Sequence, residues 1–240
     1  MSNPYVLQAF GVKKSYHKDK IEVPVLRGVD VSIADGMVTA LVGRSGSGKS
    51  TLMHLLATLD QPDEGEIYFR GKRIDNASRK ERDAFRNNEV GIIFQFYHLL
   101  PELSALENVL APIMINQSAW SYFKNRKESR LRAEAMLDRV GLLHRSTHKP
   151  SEMSGGEMQR CAIARSLMTD PSLLLADEPT GNLDTETGRD ILKLLRELNG
   201  DDGLTIAMIT HDDSIAEGAD LCYRMKDGVV KSAAPAMQVA

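Results

Sequence analysis

Apolar residues fall into two periodicities along this 240-residue chain, and the switches between them mark out its elements. Val23–Ile33 carries alternating, β-branched apolar positions and runs into Asp35-Gly36, a strand followed by a turn. Met37–Val42 is a short continuous apolar run of the kind a sheet buries on both faces. Residues Gly43–Lys49 are rich in Gly and Ser, and beyond them Leu52, Leu55, Leu56 and Leu59 recur at helical spacing within Ser50–Leu59. The turn Pro62-Asp63-Glu64-Gly65 predicts a strand at Glu66–Arg70, and Val90, Ile92, Ile93 and Phe94 predict another over Glu89–Gln95. After Phe96 the character changes. Leu103–Ile115 and Lys124–Val140 read as helices, the second closed by Gly141. Strand and helix then alternate again: Leu173–Asp177, the helix Thr185–Leu198, Leu204–Thr210, and a last strand near Leu221–Met225.

Strands alternating with helices imply an α/β fold with a mostly parallel core sheet flanked by helices. The expected organisation is a single domain over 1–240. Its core spans about 1–95 and 166–231, the inserted helical subdomain about 96–165, and a loose, weakly apolar tail 232–240. Length and composition agree with one globular unit: 42% of residues are apolar and the net charge is −3. The slightly acidic balance argues against a nucleic-acid partner. Two cysteines, Cys161 and Cys222, without metal-ligand spacing suggest a reducing compartment. Met1–Tyr5 has no basic stretch leading into an apolar core, so no secretory signal is expected there. No uninterrupted apolar run approaches the ~20 residues that span a bilayer. Direct membrane insertion is therefore not expected, and any membrane role is expected to come through a partner.

The chemistry begins at Gly43-Arg44-Ser45-Gly46-Ser47-Gly48-Lys49-Ser50, which fits the Walker A pattern G-x-x-x-x-G-K-[ST]. Its glycines let the backbone curl so that successive N–H groups face phosphate oxygens, and the helix that follows aims its positive end at the same charge. Lys49 is placed for the β- and γ-phosphates, Ser50 for Mg²⁺, and Thr51 for a further phosphate contact. The strand Leu173–Ala176 ends in two carboxylates, Asp177 and Glu178. Ligands of parallel sheets gather at the carboxyl ends of the strands. Asp177 is thus a candidate Mg²⁺ acid, and Glu178 a candidate for orienting and deprotonating an attacking water. An isolated Asp-Glu pair would be no more than a solvated strand end; the apolar run and the glycine loop together give it meaning. The cofactors expected are ATP and Mg²⁺.

Further motifs fall in one order along the chain. Met153-Ser154-Gly155-Gly156-Glu157-Met158-Gln159-Arg160 resembles the L-S-G-G-Q signature of ATP-binding cassette (ABC) ATPases. Gln95 stands where that family has its Q-loop glutamine, and Gly181-Asn182-Leu183-Asp184 looks like the D-loop. His211 looks like the switch histidine and Tyr16 like the aromatic that stacks on adenine. Phe94–Leu100, Leu106-Glu107-Asn108-Val109 and Ala176–Asp184 narrow the resemblance. They are similar to the ATP-binding subunits of lipoprotein-releasing and macrolide-exporter-type systems, with the cell-division ABC ATPase as a near relative. The signature departs from the family pattern twice, with Met153 for Leu and Glu157 for Gln; relatives of this type commonly carry Glu there.

The resemblance implies a P-loop NTPase with an N-terminal antiparallel β subdomain and an inserted helical subdomain. It also implies a homodimer that sandwiches two MgATP, working beneath a separate integral-membrane permease on the cytoplasmic face of the membrane. Ser154, Gly155, Gly156 and Glu157 would then face the partner's nucleotide, and Asp184 would cross the same interface. Gln95 would ligate Mg²⁺, and His211 would contact the γ-phosphate and hold the geometry of the water at Glu178. Cys161, amid Ala162, Ile163 and Ala164, reads as a buried small residue. Phe96, Tyr97, Leu99 and Leu100 fit either a groove for a permease helix or subdomain core. Three other functions are weaker. A soluble DNA-repair or translation ABC protein usually carries two cassettes or a coiled-coil insertion. A small-molecule kinase leaves the signature unexplained, and a non-hydrolysing sensor leaves Glu178 and His211 without a task.

Overall fold

The computed structural model describes residues 4–19, 21–116 and 119–235. In chain order, β1 (Tyr5–Lys18) and β2 (Ile21–Ala34) form a long antiparallel pair, and β3 (Val38–Val42) leads through the glycine loop into α1 (Lys49–Leu56). β4 (Glu64–Phe69) and β5 (Lys72–Arg73) rejoin the first sheet, and α2 (Arg79–Asn88) precedes β6 (Val90–Ile93). Three helices follow: α3 (Ala105–Asn116), α4 (Ala119–Arg139) and α5 (Gly155–Leu167). The chain then alternates through β7 (Leu173–Asp177), α6 (Thr185–Asp202), β8 (Thr205–Thr210), α7 (Asp213–Glu217), β9 (Leu221–Lys226) and β10 (Val229–Pro235).

Two sheets result. The order β2-β1-β4-β5 is antiparallel throughout; the order β10-β9-β3-β8-β7-β6 is parallel except for the edge strand β10. Every residue of β3 and of β7 is buried, as expected of strands covered on both faces. One apolar cluster lies around α1 between the sheets and includes Leu7, Ile33, Leu52, Leu55, Ile67 and Leu175. A second joins the other face of the core sheet to α3, α4, α5 and α6 through Val109, Leu137, Ile163, Leu174 and Leu195.

Helix ends follow local chemistry. Asp184 caps α6 by accepting hydrogen bonds from the amides of Glu186 and Thr187, and Gly203 ends that helix at φ 66°. Gly141, predicted to close α4, has φ 72°.

Two elements differ from expectation. α2 has no buried residue, so the apolar periodicity that reveals the other helices is missing; a capping box between Ser78 and Glu81 starts it instead. β10 runs through Pro235 and pairs with β9, so the first residues of the segment expected to be a loose tail belong to a strand. The rest of that segment lies outside the described residues.

Register brings the candidate site together. Val42 pairs with Thr210 and Asp177 with Ile209, which sets Gly43, Glu178 and His211 at the same rim of the sheet, just past the carboxyl ends of three adjacent strands.

Candidate active site

The glycine loop is closely built. A Cβ at Gly43 would sit 2.3 Å from the carbonyl oxygen of Met225, and one at Gly48 would meet Leu26 at 2.9 Å. Gly46 and Gly48 have φ of 76° and 102°, the left-handed region that glycine enters at little cost. Gly48 is the N-cap of α1 and, lacking a side chain, leaves the first-turn amides uncapped; the first turn holds no acid either. A helix start of this kind presents N–H groups and the positive end of the dipole to an anion. Lys49 is buried, and its Nζ donates to the carbonyls of Gly43 (2.8 Å) and Arg44 (3.1 Å), tying the ammonium across the mouth of the loop. The Ser47 hydroxyl is buried without a hydrogen-bond partner. Buried polar atoms seldom go unpaired, so uncapped amides, a poised ammonium and an orphaned hydroxyl together fit a polyphosphate.

A cavity of about 550 Å³ flanks this loop, lined by Gly43–Ser47 on one side and by His211, Arg224 and Lys231 on the other. Opposite Lys49, the Ser50 hydroxyl donates to Asp177 Oδ1 at 3.2 Å. Asp177 is 8% exposed. Burial pushes its carboxyl above the usual carboxylate range; the Ser50 hydrogen bond opposes this, and the charge of Glu178 adds to it. A buried, electrostatically unfavourable carboxylate beside a serine hydroxyl is the donor set expected to take a divalent cation.

Glu178 does not continue the strand that ends at Asp177. It turns to φ 45°, held by its amide donating to Ile209 and its carbonyl accepting from Gly181. This turn brings its carboxylate to His211, whose Nδ1 lies 3.1 Å from Glu178 Oε2. A Cβ at Gly181 would stand 3.1 Å from Glu178 Oε2 and 3.3 Å from Gln95 Nε2, so the carboxylate and the Gln95 amide converge there. Asn182 fixes the backbone of Gln95 by donating to its carbonyl at 2.8 Å. Lys49, Ser50, Asp177, Glu178, His211 and Gln95 thus line one rim.

The other expected residues have local tasks. Ser154 is the N-cap of α5 and makes a capping box with Glu157, which also accepts from Arg145 at 2.9 Å. The Ser154 amide, with Arg145 nearby, holds the Glu157 carboxyl below its ordinary range. This identifies the contact of the residue that departs from the signature. Gly156 packs so close to α6 that a Cβ would meet Thr187 Cγ2 at 2.5 Å. Among the described residues, no hydrogen bond joins 154–156 to 43–51. Tyr16 is 42% exposed, with its hydroxyl donating to Asp60 at 2.9 Å and close to Thr51. Cys161 is fully buried, its thiol pushed up to about 12 by burial. Of the apolar quartet, Leu99 packs against the core while Phe96 and Leu100 are exposed.

Two residues of the site are given no task by the sequence alone. Gln159, buried on α5, donates to the carbonyl of Pro179, next to Glu178. Arg165 donates to the carbonyls of Tyr97 and His98, just beyond Gln95. Both tie the signature helix to the loops at the rim. The only signal available was a polar residue set among the apolar positions of that helix.

The family model for ABC transporter matches residues 26–181. The chain belongs to the ABC transporter ATPase family. It is 74% identical over 226 residues to the lipoprotein-releasing system ATP-binding protein LolD 2 of Rhodopirellula baltica, covering 94% of this chain and 89% of that one. Among solved structures it resembles the dimeric form of MJ0796, a bacterial ABC transporter cassette. The TM-score is 0.86 and the identity 35%, over 96% of this chain and 99% of that one. The post-hydrolysis form of the same cassette, bound to ADP and Pi, aligns with a TM-score of 0.84 and 34% identity over the same shares of the two chains. This ABC ATPase therefore binds and hydrolyses ATP, and the P-loop fold expected from its sequence is the fold it has.

Proposed function

We propose that this ATPase is the motor subunit of a lipoprotein-releasing-type transporter, acting as a homodimer beneath a separate membrane permease at the cytoplasmic face of the membrane. The observation that carries the reading is the 74% identity, over nearly the whole chain, to a protein named for that system. No helix among the described residues is long and apolar enough to cross a membrane, which is consistent with a permease supplied by another chain.

In the proposed mechanism the amides of Gly43–Ser50 and the first turn of α1 bind the polyphosphate. Lys49 leaves the carbonyls of Gly43 and Arg44 to neutralise its charge. Ser50, Asp177 and Gln95 would hold Mg²⁺, which when bound offsets the negative charge on the phosphate oxygens. Glu178, positioned by His211, orients a water in line with the γ-phosphate and takes its proton. Phosphoryl transfer to water needs this placement and charge neutralisation and no covalent intermediate. Ser154, Gly155 and Gly156 complete the site from the partner subunit at the N-terminus of α5, where a helix end favours an anion. Asp184 lies at the same interface, and the exposed ring of Tyr16 stacks on adenine. ATP binding then joins the two subunits, hydrolysis releases them, and the permease follows the cycle.

Affinity capture of the tagged chain from the membranes of its own cell tests the assignment. Co-purification of a permease with four membrane helices and a large extracytoplasmic domain is expected. A six-helix importer partner would overturn it.

A further inference from the structure

The outward stripe of α4 does not look like the solvent face of a soluble helix. Trp120 is 84% exposed, Phe123 69% and Leu131 58%. At spacings of three, eight and eleven residues, Trp120, Phe123 and Leu131 share one face, across the helix from the buried Ser129 and Ala133. Lys124 and Lys127 lie on the same face between them. Trp120 is the sole tryptophan of the chain. The neighbouring end of α3 adds Ile115, 80% exposed.

Charge is concentrated on the same element. The first two-thirds of α4 hold five basic residues, Lys124, Arg126, Lys127, Arg130 and Arg132, against one acid, Glu128, in a chain of net charge −3. Arg130 is paired with Glu134 at 2.8 Å; the other four make no ion pair among the described residues. Exposed aromatics interleaved with unpaired lysines and arginines are what a helix needs to rest in a bilayer interface. The rings settle at the level of the headgroups, and the cations are drawn to anionic lipids.

We propose that the exposed face of α4 binds the surface of an anionic bilayer, giving this subunit a lipid contact of its own besides any permease. The proposal goes beyond the expectation that any membrane role comes through a partner; no helix among the described residues is long and apolar enough to span a bilayer. The proposal rests on α4 alone and stands or falls apart from the lipoprotein-releasing assignment.

The test uses the full chain and vesicles of phosphatidylcholine, with and without about a third phosphatidylglycerol. Binding to the anionic vesicles, loss of it in high salt, and a blue shift of the Trp120 emission are expected. Lys124→Gln/Lys127→Gln should lower the partition coefficient on the order of tenfold or more, with ATPase activity unchanged. Phe123→Ser should weaken binding as well. No binding to anionic vesicles would overturn the proposal, as would equal binding to neutral ones. A blue shift that grows with protein concentration in the absence of lipid would overturn it too, by assigning the face to self-association.

Discussion

Of two side chains at the rim of the sheet, Asp177 carries a cost in stability and His211 carries none. Asp177 is held in a place that disfavours its charge, because burial raises its carboxyl pKa above that of the unfolded chain. The ionised form therefore costs stability. That cost is absent below the unfolded carboxylate value of about 3.9 and complete once the pH has passed the folded value. Asp177→Asn keeps an acceptor for Ser50 and removes the charge. Without ligand it should melt at a higher temperature than the parent at pH 8, the advantage shrinking as the pH falls toward 4, while ATPase activity is lost. Calorimetry across pH checks this, and a variant less stable than the parent at pH 8 would contradict it. In the proposed mechanism His211 acts through Glu178, and its side chain is 60% exposed. His211→Ala should lower kcat on the order of 10²-fold and leave melting temperature and nucleotide affinity nearly unchanged. A matching fall in affinity would instead mean that the histidine serves nucleotide binding.

At the scale of elements, α5 and α6 approach so closely that only glycine fits at the crossing. The Thr187 methyl cannot swing aside, because the Thr187 hydroxyl donates to Asp184 Oδ2 at 2.7 Å and threonine is stiff at χ1. Gly156→Ala is expected to destabilise the protein by about 1–3 kcal/mol, and Thr187→Ser, which drops the methyl and keeps the hydroxyl, should restore most of it. Denaturant titrations of the four proteins of that cycle measure the coupling; additive losses would mean that the two helices do not meet as described. The same scale explains what was legible beforehand. β3, β7 and β8 announced themselves by continuous apolar runs because both faces are buried. α2 did not, since it buries no side chain, and β10 was overlooked because its small residues look like a tail. Motif spacing exposed the glycine loop and the Asp177–Glu178 pair directly. The left-handed turn at Glu178, the Gln159 and Arg165 tethers and the capping task of Glu157 depend on contacts between segments far apart in sequence.

Over the whole molecule, the proposed site in one chain has a phosphate loop, a candidate metal acid and a candidate base, and among the described residues no hydrogen bond from 154–156 reaches that loop. In the proposed dimer the N-terminus of α5 of the partner subunit supplies the group that closes over the γ-phosphate, so that a head-to-tail pair would complete both sites at once. Glu178→Gln should keep nucleotide bound without turnover and so trap that pair. The direct measurement is the mass of the Glu178→Gln protein in solution with MgATP, by light scattering. The account predicts about twice the 26.6 kDa of the single chain with MgATP and a monomer without it. A protein that stays monomeric at saturating MgATP would contradict the shared site.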